Sequence, residues 1–436
     1  MVPRYTSFPP ANRFMPDVGR RYQSHWIEGL SSSDPVSVYV HIPFCRRLCW
    51  FCACRTQGTK TRRPLTDYLD DVISEIAAVK ERAPGEVPMA RLHLGGGTPT
   101  FLSARDMERL VVALFDAFPS TADFEFSVEI DPTEAPQGVL DVLAAHGMNR
   151  ASIGVQDFAP RVQNAIGRIQ SYAQTEDVIG RVRKAGVDSL NIDLLYGLPY
   201  QTEASLLSTI NQVVRLAPDR LALYGYAHVP HMSKRQVMIP DTALPDVRQR
   251  YASARLANDR LVAAGYKPLG IDHFALPGDS LAVAAKNGTM RRNFQGYTED
   301  PCTTLLGFGA SAISTFPAGY SQNVPSTAGY RQQIQTRQLA GHKGYRLSHD
   351  DRLLAELINA IMCDGKVPVA QIKSRRPGDC ERIDALVFDL AATFQKAIAW
   401  QDGDLHIKPE FLALSRVMAA HLDLSLSQEH RHSLAI

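Results

Sequence analysis

Residues 36–54 read VSVYVHIPFCRRLCWFCAC. The first seven are dense in β-branched and aromatic side chains, the character of a strand. Immediately after them come four of the chain's seven cysteines within ten residues. A strand that runs straight into a ligand-rich loop is how a parallel (β/α) barrel presents its chemistry, at the C-terminal ends of its strands. Downstream the same order repeats. A helical stretch from about Leu65 to Lys80 is followed by the strand ARLHLGGG and a helix around 107–118. FEFSVEID then precedes PQGVLDVLAAHG, and RASIGVQD precedes a helix near 172–185. VDSLNIDLLYGLP leads into EASLLSTINQVVRL, and RLALYGYAHVP ends the run before VRQRYASARLANDRLVAAG. Six strand-then-helix units predict a parallel sheet. By pattern alone, a partial barrel and an open doubly wound sheet fit equally well.

From about Ser326 the texture shifts to amphipathic helix without further alternation. The expected organisation is an irregular segment over 1–35, a catalytic α/β domain with its extension over 36–325, and a smaller, mainly helical domain over 326–436. A chain of 436 residues exceeds the size at which one hydrophobic core usually stops growing, which also predicts two domains. The 47 basic and 45 acidic residues nearly cancel and form no long block, so bulk charge points to neither nucleic acid nor a membrane surface. No run of about 18 apolar residues occurs, and MVPRYTSFPPANRF lacks the apolar stretch of an export signal. A cytoplasmic location is expected, with thiols free for metal rather than paired in disulfides.

The cysteine spacing is Cys45-x3-Cys49-x2-Cys52-x-Cys54. A buried set of free thiols would not need four in ten residues. Structural zinc usually recruits two ligand pairs from separate chain segments, and Cys302, Cys363 and Cys380 are single and distant. They are read as structural. Thiolates from one short loop suit an iron–sulfur cluster. Other candidates sit at strand ends. GGGTPT, with Gly96, Gly97 and Thr98, lacks the residues of a phosphate loop, but its glycines let backbone approach a ligand closely. Glu129, Gln156, Arg168 and Asp193 recur at successive strand ends or loops, where a capping role and a ligand-facing role are equally open for each one singly. Asp272 and His273 in GIDHFA are weaker candidates.

The loop, with an aromatic before its third cysteine, resembles that of the radical S-adenosylmethionine (SAM) superfamily. Three thiolates there hold three irons of a [4Fe-4S] cluster, and the amino and carboxylate groups of S-adenosylmethionine chelate the open fourth iron. Together with PRYTSFPPA, LHLGGGTPTFL, SVEIDP, ASIGVQDF, NIDLLYGLP, YGYAHVP, GIDHFALP, NFQGYT, LLGFGASAIS and HRHSLAI, the sequence resembles the oxygen-independent coproporphyrinogen III oxidases. The resemblance runs nearly the whole chain and is looser in the C-terminal third, where MCDGKVPVA departs from the family pattern.

That resemblance implies a partial (β/α)6 barrel with a helical C-terminal domain. It implies one cluster on Cys45, Cys49 and Cys52, and two S-adenosylmethionine molecules side by side. Positions matching Tyr39, Gly96, Glu129 and Ile313 would contact the first; Phe51, Gly97, Thr98, Gln156, Arg168, Asp193 and Ala227 would contact the second. Cys54 is the catalytic candidate, acting near the cluster without ligating it. The implied reaction is oxidative decarboxylation of two propionate groups of coproporphyrinogen III to vinyl groups, giving protoporphyrinogen IX. Implied partners are that tetrapyrrole, an electron donor of flavodoxin or ferredoxin type and an electron acceptor, with the chain a monomer. Arg and Lys near the barrel mouth are candidates for the substrate carboxylates. Family members usually carry a longer segment ahead of PRYTS; where that segment covers the site, its loss is expected to lower activity. A related haem-delivering lineage shares barrel and cluster, but lacks the PRYTS-type start and has a bulky aromatic at the position of Cys54. A methylating or haem-degrading relative is the other alternative reading.

Overall fold

The computed structural model describes residues 5, 7–336 and 339–423. Much of PRYTS and all of HRHSLAI therefore lie outside the described residues. Six parallel strands carry the molecule: β1 (Val36–Ile42), β2 (Met89–Gly96), β3 (Ser120–Ile130), β4 (Arg150–Gln156), β5 (Ser189–Tyr196) and β6 (Arg220–Gly225). Each is followed by a helix: α1 (Arg63–Arg82), α2 (Ala104–Ala117), α3 (Gln137–Ala145), α4 (Tyr172–Lys184), α5 (Glu203–Arg215) and α6 (Val247–Ala263). The helix starts follow capping chemistry. Ser103, Ser171, Thr202 and Asp246 each accept a backbone N–H of the first turn through their side chains.

Strands β1 to β6 pair in sequence order, all parallel. Neither edge closes on the other. Beyond β6 lie two antiparallel strands, β8 (His273–Ala275) against β6 and β7 (Lys267–Leu269) outermost. Beyond β1, strand β9 (Leu305–Phe308) pairs in parallel. An antiparallel run of β10 (Ile313–Phe316), β11 (Gly319–Asn323) and β12 (Gly341–Arg346) then extends the sheet. The architecture is the partial (β/α)6 barrel, with the sheet widened on both flanks.

Strand alternation decides what the inside of the barrel is. On β2, Leu92 and Leu94 face the helices and are fully buried, while Arg91 and His93 point inward and line a cavity. On β3 the outward set is Phe126, Val128 and Ile130, and the inward set is Glu125, Ser127 and Glu129. Strands β4 to β6 repeat this, with Arg150 and Ser152, Asn191 and Asp193, and Arg220 and Tyr224 turned in. A fully wound barrel usually fills its interior with branched apolar layers. Here the inward strand positions are largely polar and surround a hollow, and the strand–helix layer carries most of the barrel's apolar burial.

A second core, from Leu353 to Leu422, gathers helices His349–Asn359, Cys380–Thr393 and Ser415–Leu422 around a three-stranded sheet. Helix Thr327–Gln335 and β12 fall beyond the boundary expected near Ser326, yet Tyr330, Ile334 and Ala340 belong to the barrel's core. The mainly helical texture expected there gives no sign of β12, whose GHKGYR lacks a β-branched residue. Tyr5, 1% exposed, packs into the second core and donates its hydroxyl to Asp423 Oδ2 at 3.1 Å. Arg13 pairs with the same carboxylate at 3.3 Å. No helix among the described residues is long and apolar enough to cross a membrane.

Candidate active site

A cavity of about 510 Å³ opens at the C-terminal ends of β1 to β6 and reaches down the barrel. The four loop cysteines line it, all with free thiols. Backbone hydrogen bonds fix the loop: Gln57 N–H to Pro43 O at 2.7 Å, Thr59 N–H to Cys45 O at 3.0 Å and Trp50 N–H to Ile166 O at 2.8 Å. The donor set suits thiolates. Arg168 donates to Cys49 Sγ at 3.5 Å and the Cys54 N–H to Cys52 Sγ at 3.4 Å. Hydrogen bonding from the Cys54 side chain, with Arg235 nearby, outweighs burial and lowers the Cys52 thiol to about 6. Burial raises the Cys45 thiol to about 11, which binding to a cation would reverse. Cys54 is exposed, but into the cavity beside Cys52.

The glycine stop has protein reasons of its own. Gly96 has φ +110°, and a Cβ there would lie 2.6 Å from the His41 ring. A Cβ on Gly97 would lie 2.6 Å from Phe44 O, and one on Gly95 2.7 Å from Glu129 Oε1. Three glycines are thus required for β2 to pass between the cysteine loop and Glu129, besides leaving backbone open to a ligand. Glu129 Oε2 accepts the Gly96 N–H at 2.9 Å, and Oε1 lies 3.3 Å from His93 Nε2. Burial raises this carboxyl, but the His93 and Gly96 hydrogen bonds outweigh it and hold it below the usual range. Tyr39 stacks on His93, ring centroids 5.7 Å apart, and its hydroxyl lies 2.9 Å from His41 Nδ1.

On the opposite wall, Asp193 accepts from Ser152 at 3.1 Å and Asn191 at 2.8 Å. Burial, reinforced by the Glu129 charge, still raises it to about 6. Arg168 is buried, pairs with Asp131 at 3.0 Å and donates to Gly154 O at 2.7 Å, while its Nε has no partner. Gln156 sits at φ +70°, at a register shift between β4 and β5, an uncommon conformation for a side chain that faces a cavity.

Most of the sequence candidates therefore share one cavity. Four do not line it: Tyr39, Ala227, Ile313 and Asp272. Ala227 is joined to the loop through Gln236, whose amide donates to the carbonyls of both Phe51 (2.8 Å) and Ala227 (3.1 Å). Ile313 starts β10, whose backbone closes on Gly307; Gly307 pairs in register with Tyr39. His273 also lines the cavity, and its Nδ1 lies 2.7 Å from Asp272. Arg416 of the second core donates to Asp272 at 3.0 Å, so this pair ties the two cores together. The sequence reading missed His41, His93, Asp131, Arg235 and Gln236. The first two carried a signal, since they alternate with Tyr39 and Arg91 on inward-facing strand positions.

The Radical SAM superfamily profile matches residues 39–213. A relative named coproporphyrinogen III oxidase, anaerobic 1, from Cereibacter sphaeroides is 46% identical over all of this chain and 96% of its own length. An oxygen-independent coproporphyrinogen III oxidase from Paracoccus denitrificans is 44% identical, over 100% of this chain and 96% of its own. The solved structure of the Escherichia coli coproporphyrinogen III oxidase, described as a radical SAM enzyme, superposes with a TM-score of 0.93 at 36% identity, covering 97% of this chain and 98% of that one.

Proposed function

This chain belongs to the oxygen-independent coproporphyrinogen III oxidases of the radical SAM superfamily, and from that premise we propose how its residues divide the work. It is an S-adenosylmethionine-dependent oxidoreductase that converts coproporphyrinogen III to protoporphyrinogen IX by oxidative decarboxylation of two propionates. The carrying observation is that Cys45, Cys49 and Cys52 open into the same cavity as Glu129, Arg168 and Asp193.

Cys45, Cys49 and Cys52 hold the cluster, and Arg168 on Cys49 and the Cys54 N–H on Cys52 offset thiolate charge. When bound, the cluster and S-adenosylmethionine supply the one-electron chemistry that starts hydrogen removal from a propionate. Glu129, kept ionised and fixed by Gly96, accepts from hydroxyl or ammonium donors of one S-adenosylmethionine, beside Tyr39, Gly96 and Ile313. Phe51, Gly97, Thr98, Gln156, Arg168, Asp193 and Ala227 form a second such subsite. The bridge from Phe51 to Ala227 through Gln236 supports reading them as one wall. Cys54 keeps its thiol near Cys52 without ligating.

The test is anaerobic reconstitution with iron and sulfide, followed by S-adenosylmethionine, coproporphyrinogen III and dithionite. Protoporphyrinogen IX is the expected product, with two S-adenosylmethionine molecules retained per chain by equilibrium dialysis. A methylated or ring-opened tetrapyrrole, or tight haem binding without turnover, would overturn the reading; a single retained molecule would remove the second subsite.

A further inference from the structure

Residues 35–66, which contain the cysteine loop, include six Lys or Arg and no Asp or Glu. All six are exposed: Arg46, Arg47, Arg55, Lys60, Arg62 and Arg63. In a chain whose charges otherwise nearly balance, this is a local excess. Arg46 is matched by Glu134 at 2.6 Å. The side chains of Arg55, Lys60 and Arg63 have no ion pair or hydrogen bond among the described residues.

Against this loop lies the segment HMSKRQVM (231–238), which carries three large exposed apolar side chains: Met232 at 76%, Val237 at 68% and Met238 at 54%. Scattered exposed apolar residues are ordinary, but three on one eight-residue segment interleaved with cations match the Met- and Arg-rich composition of protein interfaces. The segment is not loosely attached. Ser233 donates to Cys52 O at 2.9 Å, Gln236 to Phe51 O at 2.8 Å, and Arg235 to Thr56 Oγ1 and O at 2.9 Å each. A partner seated on Met232, Val237 and Met238 would thus stand one hydrogen bond from the backbone of a cysteine assigned to the cluster. Lys234 is exposed on the same segment, also without a side-chain partner among the described residues.

We propose that this face, the apolar 232–238 segment with Lys234 and with Arg55 next to the Thr56 that Arg235 holds, docks a small electron-carrier protein with an acidic surface. The proposal rests on the cluster assignment above. One electron leaves the reduced flavin or iron–sulfur centre of the carrier and enters the cluster on Cys45, Cys49 and Cys52; no bond forms or breaks in that step. Charge complementarity selects the acidic carrier, because unpaired cations steer anionic partners and suppress cationic ones.

Reduced flavodoxin is the probe. It is mixed anaerobically with the cluster-loaded protein, and bleaching of the cluster absorbance is followed by stopped flow. At low ionic strength the Arg55→Glu/Lys234→Glu double variant should be reduced about tenfold or more slowly than the native protein, and native reduction should slow steeply as salt shortens the screening length. Met232→Ser should slow reduction with little change in salt dependence. With dithionite as reductant, all variants should turn over coproporphyrinogen III at the native rate. Flavodoxin reduction that ignores the charge reversals, or a native rate indifferent to salt, overturns the docking face. Equal slowing with dithionite would assign these side chains to the substrate mouth, and so also overturns it. Failure of the native protein itself with dithionite strikes the proposed function instead, which separates the two.

Discussion

The two ends of the barrel are both lined with charge, and they handle it in opposite ways. At the floor, charges are matched among themselves. Arg91 pairs with Glu125 (2.8 Å) and Asp300 (3.4 Å), Arg150 with Glu125 (3.4 Å) and Glu299 (3.1 Å), and Arg220 with Asp279 (2.7 Å) and Glu299 (3.3 Å). Ser37 adds a hydrogen bond to Asp300. At the mouth the protein leaves its groups less well served. Burial pushes Asp193 up to about 6 with no arginine to hold it down, whereas arginines hold Glu299 of the floor down, and thiols crowd one loop. Buried charge that is already paired closes a structure. A carboxyl pushed up by burial, with no arginine beside it, marks where a ligand completes it.

Substitution at each end should separate these roles. The largest effect belongs to Cys45→Ser, which should lose iron and all detectable turnover, whereas Cys54→Ser should keep its iron. Equal iron loss in both would break the ligand assignment. Next is the floor. Glu299→Gln leaves Arg150 and Arg220 short of a partner and should lower stability by roughly 3–5 kcal/mol in urea titrations, with cluster content unchanged in the folded fraction. The sign with pH is specific. Burial raises Glu299, but Arg220 and Arg150 outweigh it and hold the carboxyl at about 2. Its contribution is therefore fully present above the unfolded value of about 4.3 and is lost as pH falls toward 2, where native and variant should converge.

A smaller effect is expected at Glu129. Glu129→Gln should weaken S-adenosylmethionine binding about tenfold to a hundredfold in equilibrium dialysis, with unfolding little changed. A variant with native affinity would remove Glu129 from the ligand-facing set. The smallest is Asp193→Asn. A folded carboxyl raised to about 6 by burial is destabilising when ionised. The amide should therefore stabilise the cluster-free protein by about 1–2 kcal/mol at pH 8, with no gain below about pH 4. No gain at pH 8 would mean that Asp193 is as well served as the floor.

The mouth was more legible in the sequence than the floor. Cysteine spacing and strand-end polarity are local signals, and they pointed to the cysteine loop and to Glu129 and Asp193 as strand-end candidates; the choice of Cys45, Cys49 and Cys52 among the four came with the family resemblance. The floor depends on strand register: Arg91 lies opposite Glu125, and Ser127 opposite Arg150, only once the parallel pairing is fixed. Part of it could have been read. Arg91 with His93, and Glu125 with Ser127 and Glu129, alternate at period two against apolar partners. Polar residues on the inward face of every strand imply a hollow barrel rather than a packed one. What the sequence could not supply were long-range ties such as Gln236 to Phe51, or Arg416 to Asp272, which join segments far apart in the chain.

The tie between Tyr5 and Asp423 spans 418 residues. Its consequence lies in the timing of synthesis. At ribosomal rates of about 5–20 residues per second, Tyr5 waits roughly 20–80 s for its partner to be made. Through that interval a ring that ends almost wholly buried, at 1% exposure, has no place in the second core. Each barrel strand can pack against its helix soon after both emerge, but the second core cannot be completed until synthesis has passed Asp423. Nascent chains arrested just short of that residue should be nicked near Tyr5 by protease, and released full-length chains should be protected.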